Sequence, residues 1–97
     1  MLNKKDKYRL RALANPLKSV VTIGKDGLTE NLLVSIVNVI KTHELIKVSI
    51  LKTYEGLSTT ELANLICSTI NAELIFIVGR TFVIYKKNKD INKYEIK

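Results

Sequence analysis

Gly79-Arg80 separates two runs that favour extended chain, "AELIFIV" and "TFVIYK". Two residues with glycine first are the mark of a tight hairpin, because turns that match strand twist need positive φ there. A hairpin alone in water is marginal, so the rest of the chain must supply further strands and a cover. Both runs are apolar at successive positions rather than alternate ones. This predicts that both faces of the hairpin are covered.

Upstream, helical and extended stretches alternate. Lys4 to Ala14 is rich in helix formers and stops at Asn15-Pro16, since a residue before proline resists the α region. There Leu10, Leu13 and Ala14 share one face, and Lys4, Lys7, Tyr8 and Arg11 share another. "KSVVTI", Lys18 to Ile23, reads as a short strand that ends at Gly24. Thr29 to His43 is the longest stretch of helical period, with Thr29 as N-cap. Leu32, Leu33, Ile36, Val37, Val39 and Ile40 form its apolar face, opposite Asn31, Ser35, Asn38 and Thr42. "ELIKVSIL", Glu44 to Leu51, sets Ile46, Val48 and Ile50 against Lys47 and Ser49, a strand with one wetter face. "TYEG" is a loop. Ser58 to Glu61 spells a capping box before Leu62, Leu65, Ile66 and Ile70, which marks a third helix. From Lys87 onward the chain is polar and basic, and a mobile tail is expected. The order is α-β-α-β-α-β-β. The fold class is therefore α/β, a single compact domain with crossover connections, a mixed sheet and an antiparallel pair at its end.

Ninety-seven residues are one domain's worth, here 1–86, with 87–97 as the tail. No apolar run approaches the roughly 18–20 residues of a membrane span. "MLNKKDKYRLRALANP" lacks the unbroken apolar stretch of a signal peptide, so a cytoplasmic protein without a membrane partner is expected. Cys67 is the one cysteine, which excludes an internal disulfide and a cysteine-based zinc site. His43, the one histidine, lacks carboxylates at ligand spacing, and no metal or cofactor is expected. It falls on the apolar face of its helix near the C-terminus, where a structural role suits the helix dipole. Cys67 reads as a small packed side chain. Glu30, Glu44, Glu55, Glu61 and Glu73 begin elements or cap helices. With no acid/base pair or nucleophile–base pair, the chain does not read as an enzyme.

A net charge of +7 is the strongest compositional fact, and it points to an anionic partner, most often nucleic acid. Two stretches could meet one. Gly24-Lys25-Asp26-Gly27 joins a strand to a helix N-terminus, where free N–H groups and the dipole favour phosphate. Glycines remove the Cβ atoms that would hold a nucleic-acid backbone away, and Lys25 adds a cation, while Asp26 opposes an anion. Alone, these four residues fit equally a turn that needs positive φ; they match neither a Walker motif nor a dinucleotide-binding one. The row Lys4, Lys7, Tyr8, Arg11 interleaves an aromatic with cations, as RNA binders do and as a solvated helix face also can. Its apolar side is too thin for an interfacial membrane helix.

The stretches "LRALANPLKSVVTIGKDGLTENLLVSI", "HELIKVSI" and "IVGRTFVIYK", in that order, resemble the YhbY-like proteins, the free-standing form of the CRM (chloroplast RNA splicing and ribosome maturation) domain. The resemblance runs from about Lys5 to Lys86. It implies a four-stranded mixed sheet similar to the C-terminal domain of translation initiation factor three, and it implies RNA binding. In bacteria it implies association with the precursor of the large ribosomal subunit, and in plant relatives a role in intron splicing. Gly24 and Gly27 fall on the family's G-x-x-G loop, which resembles the backbone clamp of KH domains. Lys18 and Arg80 fall on its L-K and G-[RK]-T motifs. A monomeric RNA-binding protein of ribosome maturation is the reading that results. A protein-interaction module with an incidental basic surface is the alternative.

Overall fold

The structure, a computed structural model, describes residues 2–94. Its elements follow the expected order: α1 (Lys4–Ala14), β1 (Val21–Ile23), α2 (Glu30–His43), β2 (Leu45–Ile50), α3 (Thr59–Ile70), β3 (Glu73–Val78) and β4 (Thr81–Tyr85). All four strands make one sheet in the order β1-β2-β4-β3. β1 runs parallel to β2, and β4 is antiparallel to both β2 and β3.

Local chemistry sets the helix starts. Asn3 and Asp6 form a capping box on α1, Ser58 and Glu61 form another on α3, and the Thr29 hydroxyl accepts the Leu32 N–H. Each cap satisfies amides that the first turn leaves open. At the hairpin, Gly79 has φ +59°, the conformation that its place in the turn asked for.

The sheet is covered on both faces. On one, Ile36 and Ile40 of α2 and Leu62, Ile66 and Ile70 of α3 pack on Ile46, Val48, Phe82 and Ile84. On the other, Leu10 and Ala14 of α1 pack on Leu45, Val83 and Tyr85. Strand alternation therefore sends consecutive residues of β4 into two different cores, which is why that strand is apolar from Phe82 to Tyr85. β3, at the sheet edge, is only half-buried, and its Val78 stays exposed. Cys67 lies on the buried side of α3, where desolvation first and the Glu73 charge second push its thiol up to about 11.

Four expectations need adjusting. The first strand begins at Val21 rather than Lys18, because β1 has a neighbour on one side only and Val20 reaches it by a single bond to the Lys47 carbonyl. Leu13 is exposed, since α1 lays only the Leu10–Ala14 stripe on the sheet. His43 is exposed too, its Nδ1 turned back to the Val39 carbonyl oxygen at 3.1 Å. The expected mobile tail is, over residues 87–94, in contact with the domain. Buried Glu44, held at φ +61° after α2, accepts the Asn88 N–H at 2.8 Å and the Lys93 N–H at 2.5 Å through its carboxylate. Tyr94 meets Tyr85 edge-on. Residues 95–97 of that stretch lie outside the described residues.

Candidate nucleic-acid interface

Gly24 to Gly27 forms a tight turn closed by the Gly27 N–H donating to the Gly24 carbonyl at 3.0 Å. Lys25 and Asp26 stand exposed at its tip. The turn borders a shallow cleft of about 200 Å³ that Thr22, Thr29 and Leu32 complete at the N-terminus of α2. Amides and the positive dipole end face such a cleft, so it suits a phosphate in shape and sign, with Asp26 as the opposing charge.

The two glycines differ. Gly27 is buried with φ +72°, and a Cβ there would come within 2.8 Å of the Tyr54 ring. Packing and backbone conformation both require it. Gly24 has no positive φ, and a Cβ on it would meet only Leu51 Cδ1 at an ordinary 3.8 Å. The fold has no need of a glycine at position 24.

Tyr54 is the residue that reading the "TYEG" stretch as a plain loop misses. Its hydroxyl accepts the Leu57 N–H at 3.1 Å, and its ring lies against both Gly27 and Gly56. Arg80 fixes the same loop from the hairpin turn, donating to the carbonyls of Leu51 at 2.7 Å, Tyr54 at 3.0 Å and Ile50 at 3.4 Å. Its guanidinium is thus engaged with backbone carbonyls. The residue spacing gave no sign of this, since Arg80 and Tyr54 meet only across the sheet end.

Lys4, Lys7, Tyr8 and Arg11 are all exposed on α1, and the Arg11 guanidinium carbon stands 4.9 Å from the Phe76 ring centroid. Lys18 is exposed in the connection from α1 to β1. Thr22 points to the α1 side of the sheet, opposite Val21 and Ile23, so the Thr22 end of the cleft lies on the side of the basic row, while Thr29 and Leu32 belong to α2 on the other face. Cleft and row are not contiguous. α1 covers Leu45, while the cleft adjoins the other end of β2 by Ser49, about 13 Å along the strand at the usual rise. Lys47 and Ser49 lie between them, the wetter face that the alternation of "ELIKVSIL" announces.

Among the described residues no group of three or more His, Cys, Asp or Glu is placed to hold a metal ion, and no helix is long and apolar enough to cross a membrane.

A small α/β domain of one mixed sheet, with a glycine-bounded turn at a helix N-terminus and cations on one side, is the class that these features define. The chain belongs to the CRS1 / YhbY (CRM) domain family, whose model matches residues 2–86. It is similar to "Probable RNA-binding protein YqeI" of Bacillus subtilis, with 31% identity over 96 residues and 99% of both chains covered. An "RNA-binding protein" of Haemophilus influenzae is 33% identical over 89 residues, covering 92% of this chain and 89% of the relative. The solution structure of a candidate RNA-binding protein from Staphylococcus aureus superposes with a TM-score of 0.80 at 34% identity, covering 100% of this chain and 98% of that one. The names of these relatives are those of RNA-binding proteins.

Proposed function

We propose that residues 1–86 form a monomeric, non-catalytic RNA-binding domain that acts in the cytoplasm on precursor large-subunit ribosomal RNA and assists maturation of that subunit. In this reading the RNA backbone lies against Gly24, with Lys25 on a phosphate and the amides at the start of α2 behind it. Lys4, Lys7, Tyr8, Arg11 and Lys18 hold a second stretch of the same RNA. Gly27 and Arg80 keep the turn in shape.

The observation that carries the reading is Gly24. Neither φ nor packing explains its missing side chain, and it borders a turn whose tip bears a lysine at a helix N-terminus. Close approach of a ligand backbone explains it. A net charge of +7 and the RNA-binding names of the relatives support the same partner.

Crosslinking the protein in cell extract and sequencing the attached RNA tests this. Enrichment of precursor large-subunit ribosomal RNA is the expected result. Crosslinks spread over total RNA in proportion to abundance would remove the ribosomal assignment, and recovery of protein partners without RNA would favour the interaction-module alternative.

A further inference from the structure

Strand register divides the α1 side of the sheet into rows. Thr22, Ser49, Thr81 and Val78 form the first, one residue from each strand, beginning at the cleft of the glycine turn. Lys47, Val83 and Phe76 form the second, and Leu45 with Tyr85 the third. α1 covers the third row and reaches the second with Leu10, Ala14 and the Arg11 guanidinium. What it leaves open is a groove of about 280 Å³ between Asn15 and Ser19 on one side and Phe76, Val78 and Thr81 on the other, with Lys47 in its floor. Val78 is 59% exposed there, and among the described residues no acidic one lines the groove.

We propose that this groove takes unpaired bases of single-stranded RNA, the stretch that links the phosphates at the glycine turn to those on α1. The proposal rests on the RNA-binding reading above and deepens it. Three features argue for bases rather than more phosphate. The Arg11 guanidinium carbon stands 4.9 Å from the Phe76 ring centroid, and both groups are of the kind on which bases stack. Val78 and Val83 give the groove an apolar wall that a phosphate would avoid. Asn15 and Thr81 offer side-chain donors and acceptors that suit base edges, beside a Ser19–Ser49 hydroxyl pair and Lys47, whose Nζ donates to the Asn15 carbonyl at 3.4 Å. Lys47 in the floor suits a polyanion. A four-stranded sheet that seats two or three bases is a known solution to single-strand recognition, and the first row spans four strands. Duplex RNA keeps its base faces stacked and its Watson–Crick edges paired, and is not a ligand of this groove.

The test is an NMR titration of the isotope-labelled full chain. The probes are hexamers of adenosine and of uridine, and an abasic ribose-phosphate hexamer of equal charge. The proposal expects the amides of Lys47, Phe76, Val78 and Thr81 to shift with the base-bearing hexamers and not with the abasic one. Phe76→Leu should weaken the base-bearing hexamers about tenfold and leave the abasic one unchanged. Val78→Asn, at an exposed position, supplies the same comparison should Phe76→Leu not fold. If Gly24 and Lys25 signals move alike with all three hexamers while the groove stays still, the groove proposal falls and the RNA reading stands. If no hexamer moves any signal, the RNA reading itself falls.

Discussion

Arg80 holds Tyr54: its Nη2 donates to the Tyr54 carbonyl at 3.0 Å, and the Tyr54 ring closes on Gly27. The hairpin turn at one sheet edge thereby braces the glycine turn beside the other. A planar guanidinium can satisfy several carbonyls at once, whereas a lysine ammonium is a point charge on a flexible stem. Arg80→Lys should therefore loosen the loop although it keeps the charge. We expect weaker RNA binding with an unchanged slope of log affinity against log salt. Were Arg80 a phosphate ligand, Arg80→Lys would bind nearly as well and Arg80→Ala would lower the slope by about one.

The two glycines of the turn should separate folding from binding. Gly24→Ala is expected to leave stability within about 0.5 kcal/mol and to weaken RNA binding. Gly27→Ala should cost roughly 1–3 kcal/mol, from the strained φ and the collision with Tyr54. Chemical denaturation and a binding titration on each variant read both effects. Equal binding by Gly24→Ala and the parent protein would leave that glycine unexplained.

Val48 is fully buried between the sheet and the α2–α3 layer. Val48→Ala should lower stability by roughly 1–3 kcal/mol through lost burial and a residual cavity. At temperatures where the variant is folded, its RNA affinity should match the parent's. Lost binding at an unchanged melting temperature would mean that β2 carries function as well as structure.

Tyr85 supplies a test in alkali. Its ring is buried, its hydroxyl has no hydrogen-bond partner among the described residues, and burial, then the Glu44 and Asp6 charges, push its pKa up to about 12. A group whose pKa is raised on folding contributes stability below its unfolded value and loses it as pH rises through the folded value. Stability should therefore fall between about pH 10 and pH 12 in the parent protein. Tyr85→Phe should be neutral or slightly stabilising at pH 7 and should flatten that fall, leaving the parts due to Tyr94 and Cys67, whose pKa values are also raised. Melting curves across that range decide it.

How much of this was legible in the sequence depends on the range of the interaction. Caps, turns and hydrophobic period are local, so Thr29, Ser58 with Glu61, Gly79 and the helix limits of α1 could be read directly. The buried pair Ile46 and Val48, against the wetter Lys47 and Ser49, followed from strand alternation. What stayed hidden depends on residues meeting across the fold. Arg80 reaches a loop 26 residues away, and Glu44 reaches Lys93 across 49. The start of β1 was misplaced for a related reason, since an edge strand extends only as far as its single neighbour pairs with it. For the candidate site, sequence named the turn and the basic row. It could not give the stretch of open sheet that separates them.

Salt dependence of RNA binding, measured on the parent protein, Lys25→Ala and Asp26→Asn, tests the central claim most directly. The tip is exposed, so neither substitution should alter the melting temperature appreciably. Affinity of the parent should drop by orders of magnitude between low and moderate salt, along a straight log–log line. Lys25→Ala should bind more weakly with a slope lower by about one, and Asp26→Asn slightly more tightly. A flat salt response in the parent, or identical affinity in all three well-folded proteins, would contradict RNA backbone binding at the glycine turn.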